Sequence, residues 1–171
     1  MSYILCIICI VSVVVLDQVT KYIAVEHLQP IGSFSIIEDV FHFTYVENRG
    51  AAFGMLKDQR WIFMVISALI IVVVFYLIVK YKTQLHPLML VALSFTVGGG
   101  IGNMIDRITT GYVVDFFDFT LINFPVFNVA DVFVCVGVGL IILDVLLKKS
   151  DLSFLDDKKT KEENGDEVDS D

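Results

Sequence analysis

Two aspartates, Asp115 and Asp131, are the best candidates for catalytic residues in this chain, because of their residue type and their placement. Each lies beside a strongly apolar segment, and a carboxylate near a bilayer interior is costly enough to suggest a functional site. Two neighbouring carboxyl groups can share one proton, so that one acts as a base and the other as an acid. Such a pair could activate water and protonate an amide without a covalent intermediate, which is the chemistry of an aspartic hydrolase.

A second group of ionisable and amide residues accompanies the two aspartates. Its members are Asp17, Lys21, Asn48, Arg49, Asn103, Asp106, Arg107 and Asn128. Asp17 and Lys21 are four residues apart, so they can form an ion pair on one face of a helix. That pair could be purely structural or could support a site, and the sequence leaves both interpretations open.

Asp131 also has a structural interpretation. Asn128 is a favourable helix N-cap, which puts Asp131 at the third helical position. A carboxylate there can reach back to the backbone of the cap and is stabilised by the helix dipole. Capping and catalysis therefore remain alternatives for Asp131 at this point.

Other catalytic chemistries lack the residues they need. The histidines are His27, His42 and His86, none of them next to the cluster of acidic residues around Asp115 and Asp131, so we expect no metal and no cofactor. There is no Gly-x-Ser-x-Gly or Ser-x-x-Lys motif for a serine nucleophile. Cys6 and Cys9 have the spacing of a redox pair, but they lie in an apolar run, which favours simple packing.

The composition is typical of a membrane protein. The chain has 171 residues, 56% of them hydrophobic, including 14 Phe, and its mean hydropathy is +0.77. The net charge of −8 reflects acidic residues concentrated after residue 150. Because no basic stripe is present, we expect no nucleic-acid partner.

Four apolar stretches are long enough to cross a bilayer. We predict membrane spans at about residues 3–24, 60–79, 87–105 and 127–147. The first could be a cleaved signal peptide, but it lacks a basic start and a small-x-small cleavage site. Residues 1–149 are thus predicted to form one four-helix catalytic domain, and residues 150–171 a disordered acidic cytoplasmic tail.

The outer loop between the first two spans, residues 25–59, has a different character. Residues 41–46 carry aromatics at alternate positions, as a strand with one buried face does. Residues 112–119 are rich in β-branched and aromatic residues. The predicted fold class is therefore an all-α membrane protein with four transmembrane helices and a small extramembrane β-sheet on the outer face.

The second half of the third span is rich in glycine, with Gly98, Gly99, Gly100 and Gly102. Small residues in a membrane helix normally permit close helix packing. So dense a run also weakens the helix, and it could instead expose the backbone to a cavity. Both interpretations stay open.

Consecutive spans with short connections alternate in direction, so the polar groups of four separate segments should meet at one membrane face. The opposite face receives Lys80, Lys82, Lys148 and Lys149. The positive-inside rule makes that lysine face cytoplasmic, together with both termini, and puts the polar site near the outer face. A proton-coupled transporter or channel, which would need acids near the midplane, and a non-catalytic assembly factor are the alternatives.

Five motifs occur in order between residues 16 and 131. They are Asp17-Gln18-x-x-Lys21, Asn48-Arg49-Gly50-Ala51-Ala52-Phe53-Gly54, Gly98-Gly99-x-x-Gly102-Asn103-x-x-Asp106-Arg107, Val114-Asp115-Phe116 and Phe127-Asn128-x-Ala130-Asp131. Together they closely resemble the motifs of the bacterial lipoprotein signal peptidases, or type II signal peptidases. Asp118 and the acidic tail lie outside this pattern.

The resemblance implies an intramembrane aspartyl endopeptidase that removes the signal peptide of a prolipoprotein just before a diacylglyceryl-modified cysteine. It implies that Asp115 and Asp131 are the catalytic pair. The residues expected to bind substrate or support the site are Asp17, Lys21, Asn48, Arg49, Gly50, Asn103, Asp106, Arg107, Asn128 and Ala130. The expected partners are lipid-modified prolipoproteins and membrane lipids, and the expected state is a monomer in the bacterial cell membrane.

Overall fold

The computed structural model describes residues 3–50, 60–81 and 83–147. Its four α-helices are α1 (Tyr3–His27), α2 (Arg60–Tyr81), α3 (Pro87–Thr109) and α4 (Val129–Leu146). Each is long and apolar enough to cross a membrane. This confirms the predicted set of four spanning helices. Three parts of the chain that figured in the sequence analysis lie outside the described residues. They are Lys82, the tail from residue 148, and residues 51–59, which include the second part of the Asn48–Gly54 motif.

Helix α3 continues beyond the apolar span of about residues 87–105 and ends at Thr109, so that Asp106 and Arg107 belong to its last turn. The helix ends where the N–H groups of Thr110 and Gly111 both donate to the Asp106 carbonyl, at 2.8 and 3.2 Å. Gly111 adopts a positive φ of 87°, which glycine takes up without strain. Asp106 and Arg107 are therefore held at fixed positions on a rigid element.

A three-stranded antiparallel sheet lies at one end of the helices. Its strands are β1 (Ser33–Ile37), β2 (Phe41–Asn48) and β3 (Val113–Asp118), in the order β1-β2-β3. The sheet itself was predicted, but the expectation that residues 41–46 bury only one face is wrong, since all six are half-buried. The cover lies on β2 and β3: Val114 and Phe116 of β3 pack with Ala24 near the end of α1, and the rings of Phe41 and Phe117 stack on each other. Every residue of β1 is exposed.

Helix α3 occupies the centre of the bundle and packs against the other three helices. Close approach is possible because of its glycines. A Cβ at Gly98 would lie 2.8 Å from the Val13 side chain, and one at Gly102 would lie 2.5 Å from the Asp17 carboxylate. A Cβ at Gly99 would overlap the Ala130 carbonyl. The helix is continuous through this run, so the close-packing interpretation of the glycines is the correct one.

In the part of the chain that the structure describes, buried apolar residues form two clusters at opposite ends of the bundle. One gathers Cys6, Ile78, Leu85, Met89, Leu90 and Leu93 where α2 ends and α3 begins. Cys6 is a buried free thiol there, in agreement with a packing role. The other joins Ala24 of α1 to Val114 and Phe116 of β3. This second cluster fixes β3 against the end of α1 and so determines where Asp115 lies.

Candidate active site

A buried ion cluster formed by Asp17, Lys21 and Asp106 lies at the end of the bundle that carries the sheet. Lys21 Nζ is 2.8 Å from Asp17 Oδ2 and 2.9 Å from Asp106 Oδ2. Lys21 is 3% exposed and Asp17 is fully buried. Burying such charges is costly unless they are paired, and here one cation serves two carboxylates. The predicted Asp17–Lys21 ion pair is confirmed, and Asp106 extends it.

The ion cluster also holds the backbone next to each candidate catalytic aspartate. Asp17 Oδ1 accepts a hydrogen bond of 2.9 Å from the backbone N–H of Ala130, the residue before Asp131. Asp106 Oδ2 accepts one of 3.3 Å from the N–H of Val114, the residue before Asp115. The Asp17–Lys21 pair therefore does more than stabilise a helix end.

Asp115 lies on β3 and is 2% exposed. Its Oδ1 accepts a hydrogen bond of 2.6 Å from Asn128 Nδ2, and its Oδ2 accepts one of 2.8 Å from Asn48 Nδ2. Burial raises the pKa of Asp115 to about 7, and the negative charge of Asp131 adds to this rise. The hydrogen bonds from the two asparagines and the charge of Lys21 oppose it. Asp115 can therefore hold or release a proton near neutral pH.

Asp131 makes the predicted capping contacts in the first turn of α4. Its Oδ2 accepts a hydrogen bond of 3.1 Å from the Asn128 backbone N–H, while Asn128 Oδ1 accepts one of 3.0 Å from the Asp131 N–H. Its other oxygen, Oδ1, accepts a hydrogen bond of 2.7 Å from Asn103 Nδ2. Asp131 thus caps its helix with one oxygen and takes part in the polar site with the other.

Three asparagine carboxamides surround the two aspartates. Their NH₂ groups face the carboxylates, because each carboxamide oxygen accepts a hydrogen bond from a donor of its own. Those donors are the Gly50 N–H to Asn48 at 3.0 Å, the Lys21 ammonium to Asn103 at 2.8 Å and the Asp131 N–H to Asn128 at 3.0 Å. All four oxygens of the aspartate pair accept a hydrogen bond, which fixes both carboxylates in position.

The two arginines of the predicted site have different positions. Arg107 Nη1 donates to the Asn103 carbonyl at 3.2 Å, and its charge acts on Asp115 and Asp131. Arg49 is half-exposed and forms an ion pair of 2.7 Å with Glu47 at the end of β2. Its guanidinium lies 5.1 Å above the ring of Tyr112. Arg107 therefore belongs to the interior of the site, and Arg49 to its rim.

Gln18 is a member of the site that the sequence reasoning did not single out. Its Nε2 donates to Asp106 Oδ1 at 2.9 Å, to the Gly102 carbonyl at 3.2 Å and to Asp17 Oδ2 at 3.2 Å. Its place within the motif Asp17-Gln18-x-x-Lys21 was the available signal. The structure therefore brings the interior residues of the predicted set together around Asp115 and Asp131.

Comparison with known proteins gives a consistent result. The family model described as Signal peptidase (SPase) II matches residues 9–147. The lipoprotein signal peptidase of Brevibacillus brevis is 47% identical over 150 residues, covering 87% of this chain and 94% of that protein. That of Caldanaerobacter subterraneus is 50% identical over 132 residues, covering 77% and 88%.

Solved structures agree with the sequence relatives. A bacterial membrane enzyme determined at 2.3 Å has a TM-score of 0.74 at 36% identity, covering 86% of this chain and 91% of that one. Another, at 1.9 Å, has a TM-score of 0.73 at 39% identity, covering 84% and 94%. The resemblance inferred from the motifs is thereby confirmed, and the protein is a multi-pass bacterial membrane protein. The chain belongs to the signal peptidase II family of proteases.

Proposed function

We propose that this protein is an intramembrane aspartyl endopeptidase that removes the signal peptide from diacylglyceryl-modified prolipoproteins, cleaving before the lipidated cysteine. The observation that carries the proposal is that Asn128 holds both carboxylates. Its side-chain NH₂ donates to Asp115 and its backbone N–H donates to Asp131. The names of the relatives, lipoprotein signal peptidases, support the substrate class. The position of the site at one end of four membrane-spanning helices suits a substrate presented by the bilayer.

In the proposed reaction Asp131 acts as the base and Asp115 as the acid. Asp131 takes a proton from a water molecule, whose oxygen bonds to the carbonyl carbon before the cysteine. Asp115 gives its proton to the carbonyl oxygen, which forms a gem-diol. When the gem-diol collapses, the proton on Asp131 passes to the amide nitrogen, the C–N bond breaks, and one gem-diol proton returns to Asp115. The products are a carboxylic acid and a new amino-terminal cysteine.

The supporting residues have proposed roles that follow from their contacts. Asn48, Asn103 and Asn128 orient the two carboxylates through their NH₂ groups. Arg107 offsets negative charge in the site. Gly50 fixes the Asn48 carboxamide through its N–H. The protein is proposed to work as a monomer in the cell membrane, with lipids around its helices.

The proposed function is tested with purified protein in detergent and a diacylglyceryl-modified prolipoprotein. Wild type should release the signal peptide, and Asp115→Asn should not. Asp118→Asn is the matched control, since Asp118 lies three positions along the same strand, accepts its hydrogen bond from Thr44 at 2.8 Å and lies outside the family motifs. Equal turnover by wild type and Asp115→Asn would show that the chemistry lies elsewhere.

The proposed mechanism also predicts that turnover does not need a metal ion. A water held by two carboxylates requires no Lewis acid, and the groups around the pair are amides and cations, which are poor ligands for zinc. Activity should therefore persist in an excess of chelator, measured against the untreated enzyme. Activity that disappears with chelator and returns with added zinc or magnesium would contradict the aspartyl mechanism.

A further inference from the structure

We propose that Lys21 is a positioning residue for the aspartate pair, and that it acts by fixing which side of the Asn103 carboxamide faces Asp131. This inference rests on the proposed function and concerns the same site. Lys21 is a buried cation on α1, and in this proposal it controls the hydrogen bond between Asn103 on α3 and Asp131 on α4.

The Asn103 carboxamide contacts Lys21 on one side and Asp131 on the other. Its Oδ1 accepts a hydrogen bond of 2.8 Å from Lys21 Nζ, and its Nδ2 donates one of 2.7 Å to Asp131 Oδ1. The two ends of a carboxamide have nearly the same shape but opposite hydrogen-bonding character. A half-turn of the group would bring an acceptor against the Asp131 carboxylate. It would also bring the NH₂ group against Lys21, whose ammonium can only donate.

The Lys21 side chain cannot easily move away from Asn103 to accommodate a rotated carboxamide. Its Nζ has three hydrogens and three acceptors within 2.9 Å, namely Asp17 Oδ2, Asp106 Oδ2 and Asn103 Oδ1. The side chain is buried, and the two carboxylates that hold it are themselves anchored to Ala130 and Val114 backbone. The position of the cation is therefore fixed by groups other than Asn103.

A second donor to Asn103 does not replace Lys21. Asn128 Nδ2 lies 3.1 Å from Asn103 Oδ1, but it also donates to Asp115 Oδ1 at 2.6 Å and to the Val114 carbonyl at 3.3 Å. Its two hydrogens thus serve three acceptors, and the short contact to Asp115 takes one of them. Lys21 is the nearer donor to Asn103, so it determines the orientation.

The consequence for the site concerns the location of the shared proton. With Asn103 turned, its oxygen could face Asp131 only if Asp131 carried a proton to donate. The acid and base roles of the aspartate pair would then be exchanged. The charged groups around Asn103 that bear on this balance are Asp17 and Lys21 on α1, Asp106 and Arg107 on α3, Asp115 on β3 and Asp131 on α4.

A double-mutant cycle tests the proposal with purified, detergent-solubilised protein. The variants are Lys21→Met, Asn103→Ala and the double mutant. The control is Lys80→Met, because Lys80 is on α2 and its side chain contacts Tyr76. Lys21→Met should lower kcat on the order of 10- to 100-fold, the size expected for a lost hydrogen bond to a charged group. KM should change little, since Lys21 is buried, and the pH dependence of kcat should move. Lys80→Met should match wild type.

The decisive comparison is the effect of Lys21→Met when Asn103 is already absent. If Lys21 acts through Asn103, the substitution should then change kcat by less than about 3-fold, because coupled residues are strongly non-additive. A loss of equal size in both backgrounds would mean that Lys21 acts through its charge alone, and would overturn the proposal. So would an activity loss that follows the folded fraction, with an unchanged pH profile.

Two further measurements keep the inference independent of folding defects and of the substrate. If Lys21→Met does not fold, Lys21→Gln retains an N–H donor without the charge and should have a higher kcat than Asn103→Ala, which cannot form the hydrogen bond to Asp131, whereas equal values would contradict the proposal. Tm can also be measured as a function of pH, without any substrate, for wild type and the three variants of the cycle. The pH at the midpoint of the change in Tm is then compared between these proteins. If wild type cleaves no prolipoprotein, the proposed function fails, while the Tm cycle still decides the role of Lys21.

Discussion

Asp115 lies on a β-strand and Asp131 at the start of an α-helix. This difference in local structure determines which of the two carboxyl groups holds the shared proton. Asp131 is in the first turn of α4, where the helix dipole and a backbone N–H favour a negative charge. Asp115 is on a buried strand with two side-chain amide donors, and burial raises its pKa to about 7. We therefore expect Asp115 to hold the shared proton.

This assignment predicts the pH dependence of activity. Because Asp115 acts as the acid in the proposed reaction, kcat should fall as the pH rises through about 7, where its proton is lost. The measurement is kcat across the neutral and alkaline range with the lipidated substrate at saturation. A kcat that stays constant from pH 6 to well above pH 8 would show that Asp115 does not supply the proton.

The same proton affects folding stability, with a defined sign. Unfolding lowers the pKa of Asp115 from about 7 to its ordinary value of 3.8, so the folded state binds more protons between these values. Its contribution to stability is fully present below pH 3.8 and is lost as the pH rises through about 7. Thermal melts should therefore show a decline in Tm towards pH 7 that is weaker in Asp115→Asn. An identical pH dependence in both proteins would contradict the raised pKa.

Asp131 illustrates the limit of sequence reasoning at this scale. The spacing of Asn128 and Asp131 predicts a capping box, and the box is present. Sequence could not show that the second carboxylate oxygen accepts a hydrogen bond from Asn103, because those two residues are 28 positions apart. Local contacts follow from spacing, whereas this contact depends on how α3 packs against α4.

At the scale of elements, the glycines of α3 bring the ion cluster within reach of the aspartate pair. Gly102 lies directly against Asp17, and a Cβ there would be 2.5 Å from its carboxylate. Gly102→Ala should therefore displace Asp17, destabilise the protein by about 1–3 kcal/mol, as overpacking does, and lower turnover. Thermal melts and kcat measured on the same preparations check this expectation.

Gly139 on α4 supplies the matched control for that substitution. A Cβ at Gly139 would meet no atom within 4 Å. Gly139→Ala should leave turnover unchanged and Tm equal or slightly higher, since alanine is the better helix former. If Gly102→Ala behaved in the same way as Gly139→Ala, the close contact between α1 and α3 could not be important for the site.

The elements themselves were largely predictable, for a physical reason. Runs of apolar residues long enough for a bilayer identify helices, and alternating aromatics identify β2. The apolar run that predicts the third span stops at about residue 105, whereas α3 continues through Asp106 and Arg107 to Thr109. Their charges are satisfied inside the bundle, by Lys21 for Asp106 and by the Asn103 carbonyl for Arg107, so they do not have to leave the helix.

At the scale of the whole molecule, the alternation of four spans brings polar residues from distant segments to one end. Charge bias predicts that this end is outside and that both termini are cytoplasmic. Single cysteines at Ser33, on β1, and Thr83, between α2 and α3, should label from opposite sides of the membrane. The background should carry alanine at Cys6, Cys9 and Cys135. Labelling of the Ser33→Cys protein from the cytoplasm would contradict the topology.

Sequence could predict this convergence but not the connections within it. The motifs indicate which residues gather at one end of the bundle. They do not show that Lys21 joins Asp17 to Asp106, or that these carboxylates hold the backbone beside Asp131 and Asp115. Such contacts link residues as many as 113 positions apart, and they are set by helix packing.

The central claim is that Asp115 and Asp131 act as one catalytic unit. Its most direct measurement is kcat for lipidated prolipoprotein cleavage by wild type, Asp115→Asn, Asp131→Asn and the double mutant, each paired with a thermal melt. Residues that work as a unit lose function non-additively, so all three variants should be about equally inactive while remaining folded. Asp131→Asn should lose only about 1 kcal/mol of stability, as a weakened cap does. Substantial turnover by a well-folded Asp131→Asn enzyme would contradict the claim and leave Asp131 with its capping role alone.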